Sequence, residues 1–249
     1  MAEAVQRPTT RFVPAKTNEQ LDLQALHPVR SRLVSERTAV INQIRGFLLE
    51  RGIIVRQGHR FLRHLLPDIL AKRTDVLSPR MVRIVSDLVG DWRQLDERIE
   101  TVTDEIETLA KVDDNCRRVM TVPGIGPLIS SAMVAAIGNG TAFAKGRDYS
   151  AWLGLVPRQM STGDRTILGR PSKRGNGYLR MLFMQAARVI LLRPANWPKH
   201  GFGAWLVRAA QRLHPNVLAA ALANKLARIA WTVLAQERSN EARVIKAAA

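Results

Sequence analysis

Ser161 and Thr162 are the side chains in this sequence best suited to covalent chemistry. They stand together before Gly163 in the run Gly154-Leu-Val-Pro-Arg-Gln-Met-Ser-Thr-Gly163-Asp-Arg-Thr-Ile-Leu-Gly169-Arg-Pro-Ser-Lys-Arg-Gly175-Asn-Gly-Tyr-Leu-Arg180. A hydroxyl is a weak nucleophile until a neighbour lowers its pKa or takes its proton. Arg158, Arg165, Arg170, Lys173, Arg174 and Arg180 crowd the same run, and such cations hold a phosphodiester and neutralise the charge that develops as it is attacked. No histidine lies close in sequence to serve as base, and a Ser-Thr-Gly string is also a common turn. Residue chemistry therefore leaves a phosphodiester nucleophile and a plain polar loop both open.

A second constellation is Thr121-Val-Pro-Gly-Ile-Gly-Pro127, followed by the apolar run Leu128 to Ile137. It implies a helix, a turn with two glycines and a second helix. Gly124 and Gly126 are expected at positive φ with unobstructed N–H groups, and Pro127 opens a helix whose positive dipole end points the same way. Such a turn resembles the helix-hairpin-helix modules that hold a DNA backbone without reading its sequence. The plainer alternative is a tight turn between two packed helices. Lys145, a little further on, is a candidate additional phosphate contact.

The elements that must position these groups are mainly helical. The polar start, with Pro8 and Pro14, reads as an extended segment over residues 1–26. From His27, with Pro28 in a first turn, Val29, Leu33, Val40, Ile44 and Phe47 recur at helical spacing until Gly52. A shorter helix follows around 61–70. Between Met81 and Leu109, the residues Met81, Val85, Leu88, Trp92, Leu95, Ile99, Val102, Ile106 and Leu109 alternate steps of four and three. That heptad seam suits a coiled coil joining two copies of the chain, or a helix packed on the 28–51 helix of the same chain. The expected organisation is thus a helical and coiled-coil segment over 27–114 and a helical C-terminal domain over 115–249. Within the latter, helices are expected near 127–137, 147–153, 176–193, 202–213 and 216–236, with a loop over 154–175.

Charge narrows the partners. The formal net charge is +17, and it is unevenly spread: +7 over residues 1–80, −6 over 81–114 and +16 over 115–249. A field of that sign favours nucleic acid over a merely solubilising surface, a ribosome or an anionic lipid. The single cysteine, Cys116, excludes an internal disulfide framework, and no Cys or His spacing matches a zinc site. No secretion signal and no long uncharged apolar stretch is present, so a cytoplasmic protein without membrane contact is expected. Trp92 belongs to the heptad seam, while Trp152, Trp205 and Trp231 fall on apolar helix faces. Trp197, between Pro194 and Pro198, is expected in an exposed loop where it can stack on an unpaired base.

Several of these runs in one order resemble the insertion-sequence 110 family of transposases. They are the Pro-Gly-Ile-Gly turn, Ala151-Trp-Leu-Gly-Leu-Val-Pro-Arg-Gln159, Ser161-Thr-Gly163, Ser172-Lys-Arg-Gly175 and Gly177-Tyr-Leu-Arg180. Ala223-Asn-Lys-Leu-Ala-Arg-Ile-Ala-Trp231, Arg11-Phe-Val-Pro-Ala-Lys16 and Arg37-Thr-Ala-Val-Ile-Asn-Gln-Ile-Arg-Gly46 extend the likeness to nearly the whole chain. The resemblance implies a two-part active site, in which an acidic ribonuclease-H-like domain holds metal ions and a C-terminal serine attacks DNA. An RNA made by the element guides it. The carry-over falls on Ser161, with Thr162 second, and Asp164 and Pro171 depart from the family's usual loop. No counterpart of the four acidic metal ligands falls in residues 1–249. The resemblance therefore implies a truncated chain, inactive alone, with magnesium bound only by the missing domain. The alternative is a non-catalytic DNA- or RNA-binding module acting with a full-length transposase.

Overall fold

In the computed structural model, residues 15–72 and 75–241 are described. They are mainly helical, as expected, in the order α1 (Asn18–Leu49), α2 (His59–Lys72), α3 (Pro79–Val112), α4 (Asp114–Met120), α5 (Pro127–Ile137), α6 (Gly146–Trp152), β1 (Pro157–Thr162), β2 (Arg165–Pro171), α7 (Gly177–Leu191), a 3-10 turn (Pro194–Lys199), α8 (Gly203–Ala210) and α9 (Pro215–Ala235). The described residues divide into two compact units, one within residues 25–105 and the other formed by residues 15–24 with 106–241.

The reading of residues 1–26 as extended is overturned from Asn18 onward; its first fourteen residues lie outside the described part. α1 begins nine residues before His27 because Thr17-Asn-Glu-Gln20 is a capping box. The Thr17 hydroxyl accepts from the Gln20 N–H at 3.2 Å, and the Gln20 side-chain carbonyl accepts from the Thr17 N–H at 3.2 Å, so two end donors are satisfied reciprocally. Pro28 then lies inside the helix, where it removes one backbone donor. The helix ends where Gly52 adopts φ +73 and the Ile53 N–H reaches back to the Leu48 carbonyl.

Within the 25–105 unit, α1 and α3 run antiparallel. Arg30 donates to the Thr103 hydroxyl at 2.8 Å and Arg37 pairs with Asp96 at 3.0 Å, so partner numbers fall along one helix as they rise along the other. The second oxygen of Asp96 accepts from Arg63 of α2, whose guanidinium lies 5.1 Å from the centre of the Trp92 ring. Beneath these pairs Ile41, Ile44, Leu48, Leu62, Leu66, Val85 and Trp92 form one apolar core. Of the heptad seam, Val85, Trp92, Ile99 and Ile106, seven apart, are buried, whereas Met81, Leu88, Leu95 and Val102 are half-covered and Leu109 is exposed. One of the two heptad positions thus supplies the packing within the chain.

The other unit is built around α9. Leu218, Leu222, Leu226, Ala230 and Val233 are buried on it, and it packs against α7, α6, α4 and α8. Ala219, Ala223 and Ala227 interleave with these and keep its surface small, so that neighbouring helices approach closely. By length and composition α9 is apolar enough to cross a membrane, but its buried face is the core of this unit.

The segment 154–175, expected as a loop, is an antiparallel hairpin. Gln159 pairs with Leu168, Met160 with Ile167, Ser161 with Thr166 and Thr162 with Arg165. Gly163 and Asp164 form a two-residue turn with Gly163 at φ +57, which suits the right-handed twist of paired strands. At its base two backbones cross at close range. The Ser172 and Lys173 N–H groups donate to the carbonyls of Val156 and Gly154 at 2.9 and 3.1 Å, and Arg180 of α7 donates to the Leu153 carbonyl at 2.8 Å. A Cβ on Gly154 would lie 2.1 Å from the Arg174 carbonyl oxygen, and one on Gly175 would lie 1.7 Å from that of Trp152. Both glycines also hold positive φ, +70 and +90.

Gly163, at the tip, has open space around it, so Gly163→Ala costs only the strain of positive φ, about 1 kcal/mol; Gly175→Ala must displace backbone and costs more than about 3 kcal/mol in thermal unfolding. Buried His27 has its pKa lowered to about 4, by burial first and Arg30 second. The unfolded chain then takes up the proton first, so stability is full above pH 6.5 and falls by roughly 1 kcal/mol per pH unit between 6.5 and about 4. Denaturant titrations across that range show a shallower slope for His27→Gln.

Candidate nucleic-acid interface

The hairpin lifts both hydroxyls to its tip. All of 157–170 is exposed, and the pairing places Gln159, Ser161, Thr166 and Leu168 on one face and Met160, Thr162, Arg165 and Ile167 on the other. The Ser161 hydroxyl accepts from the Gln159 side-chain amide at 2.8 Å. Thr162 stands directly opposite Arg165, so the two hydroxyls have different surroundings although they are adjacent in sequence. Arg165 and Arg170 are exposed along β2. Arg158 reaches the Ser172 carbonyl at 3.4 Å, while Lys173, at φ +56, and Arg174 are exposed at the base. Arg180, half-buried, spends its guanidinium on the Leu153 carbonyl, and so holds the hairpin in place as well as adding charge.

α4, the turn over 121–126 and α5 form a helix, a turn and a helix. Gly124 takes φ +80, but Gly126 does not take the positive φ expected of it. It caps α5 in an extended conformation, φ −107 and ψ −174, because the chain must enter the helix from there. Gly124 also meets a packing need, since a Cβ there would lie 2.8 Å from the Ile190 side chain. The turn is exposed at Gly124, next to the amide-bearing end of α5.

Trp197 does not stand in an open loop. It is half-buried against the core, and its indole N–H donates to the Ile190 carbonyl at 3.0 Å, a satisfied structural role. Cys116 is buried in the same core; burial first, and the Asp113 carboxylate second, push its thiol well above the usual range, which leaves it a poor nucleophile.

One basic surface is not evident from the sequence. A cleft of about 960 Å³ is lined by Lys145, Arg147, Lys225, Arg228 and Arg238, with Glu241 the one carboxylate among the described residues that line it and Pro123 of the glycine turn at its edge. Of these cations, Lys145 alone is a candidate from the sequence. Lys225, Arg228 and Thr232 recur on one stripe of α9, and that period is the signal that could have found them. Gly146 brings the start of α6 onto α9: a Cβ there would already lie 3.2 Å from the Arg228 carbonyl and the Trp231 ring.

Residues 116–200, spanning the turn and the hairpin, match the family model described as transposase IS116/IS110/IS902. A Pseudomonas aeruginosa protein named "Probable family 20 transposase" is 41% identical over 95% of this chain and 70% of its own length. The transposase for insertion sequence element IS1111A of Coxiella burnetii is 40% identical over 96% of this chain and 65% of its own. The transposase for element IS1328 of Yersinia enterocolitica is 39% identical, at 95% and 70%. The chain thus spans about two thirds of the length of these relatives, and with such identity along nearly all of its residues it belongs to the IS116/IS110/IS902 family of transposases.

Proposed function

We propose that this chain supplies the hydroxyl-bearing, DNA-binding part of an insertion-sequence transposase. Ser161 is the nucleophile in this reading, with Thr162 second. Its oxygen attacks a DNA phosphodiester and gives up its proton to water, an oxygen–phosphorus bond to the protein forms, the bond from phosphorus to one sugar oxygen breaks, and that oxygen leaves with the electron pair and takes up a proton. Arg158, Arg165, Arg170, Lys173 and Arg174 hold the phosphate and offset its developing charge. The observation that carries this reading is the exposed hairpin, which presents Ser161 and Thr162 at its tip among cations. Gly124 and Gly126, with the amide end of α5, grip a neighbouring phosphate.

The metal ions of the family's reaction do not fit the residues here. Asp164 is the hairpin's lone carboxylate and stands among cations, and no group of three or more His, Cys, Asp or Glu among the described residues is arranged to hold an ion. Four carboxylates of an acidic domain, in this or another polypeptide, supply that site in our reading, and an element-encoded RNA and a second copy of the chain, joined through α3, complete the assembly.

One observation favours a purely binding role for the isolated chain: the group donating to the Ser161 hydroxyl is an amide, which cannot take its proton. Trapping on a denaturing gel separates the two readings. With element-end DNA, the element's RNA, magnesium and a separately supplied acidic domain, a covalent protein–DNA adduct is expected, reduced at least about 1,000-fold by Ser161→Ala. An adduct that persists in both Ser161→Ala and Thr162→Ala contradicts the assignment. Salt-sensitive DNA binding without any adduct supports the binding module instead.

A further inference from the structure

We propose that the cleft between α6, α9 and the segment after α9 binds the sugar-phosphate backbone of a nucleic-acid strand, as a surface separate from the hairpin; this rests on the nucleic-acid reading above. Among the described residues, five cations line the cleft with Glu241 alone, and none of the five is paired with a carboxylate. Like charges held together destabilise one another until an anion arrives. Lys225 carries part of that cost, behind the larger cost of its own burial. It is half-buried over the Trp205 ring at 4.9 Å, and its pKa is lowered, by burial first and by Arg228 second.

The cations come from three places on the chain: Lys145 and Arg147 at the start of α6, Lys225 and Arg228 on α9, and Arg238 beyond it. The last segment is tied across the cleft, since the Asn240 N–H donates to the Thr121 hydroxyl at 2.7 Å. About 960 Å³ is near the upper end of sites for small ligands, more room than one phosphate fills. Three of the cations are arginines, whose planar guanidinium groups match phosphate oxygens two at a time. Because Pro123 lines the cleft, a strand lying in it passes directly to the glycine turn.

The test is salt-dependent binding, by fluorescence anisotropy, of the full chain to a labelled DNA duplex and, separately, to a labelled single-stranded RNA of equal length. The double variant Lys225→Gln/Arg228→Gln is expected to flatten the plot of log affinity against log salt for whichever probe the cleft holds, by about 1.8 for the duplex and about 1.4 for the single strand, near 0.9 and 0.7 for each phosphate no longer neutralised. Arg147→Gln/Arg238→Gln, which alters no buried residue, is expected to act likewise should the first pair disturb the fold, while Lys225→Arg/Arg228→Lys keeps the slope. Steep salt dependence in the unaltered chain with parallel lines for both glutamine pairs overturns the cleft and leaves the hairpin reading standing. No binding of either probe by the unaltered chain overturns both.

Discussion

Everything proposed for the hairpin depends on how tightly its two ends are crossed. An exposed two-stranded ribbon is marginal by itself, and this one has polar and apolar side chains on both faces and no core of its own. It is held at the base instead, where glycines at 154 and 175 allow close approach to the carbonyls of Arg174 and Trp152, Arg180 binds the Leu153 carbonyl, and Asn224 of α9 reaches Leu155 at 3.4 Å. The position of Ser161 is thereby referred to α7 and α9, which pack against each other in the core of the unit. A nucleophile carried on a ribbon is useful only if the ribbon's base is rigid, because small displacements of reacting groups cost large factors in rate.

The same helix organises the charge. One side of α9 is buried through Leu218, Leu222, Leu226 and Val233, while Lys225, Arg228 and Thr232 look into the basic cleft. The hairpin and the cleft are thus attached to one rigid element, which suits a protein that must hold a backbone in one place and present a hydroxyl in another. In the 25–105 unit the logic is simpler: Asp96 ties α1, α2 and α3 together through Arg37 and Arg63, over an apolar core that uses one of the two heptad positions.

Much of this is legible in the sequence. The helices of the C-terminal part fall close to their expected places because each has an apolar period and a clear stop, and the α3 heptad is plain from Met81 onward. The true start of α1 is masked because Pro28 imitates a helix start, although Thr17 and Gln20 carry the cap. The hairpin is hidden because its strands lack a one-sided apolar alternation and contain Gly169 and Pro171, even though Gly163-Asp164 is a two-residue turn signal. Arg180 looks like a phosphate ligand among cations, and only the fold shows which carbonyl it serves. The cleft is illegible for another reason: its cations lie far apart in the chain, and no local pattern joins Lys145 to Arg228 or Arg238.

Native-state hydrogen exchange at the hairpin base reads out whether the ribbon is anchored. The Ser172 and Lys173 amides, bonded to Val156 and Gly154, are expected to exchange slowly in the intact chain. In Arg180→Met they lose that protection while the amides of α7 and α9 keep theirs. Exchange of these two amides at the rate of an unfolded chain in the unaltered protein would contradict that anchoring, since the hairpin would then have no fixed base from which to aim Ser161.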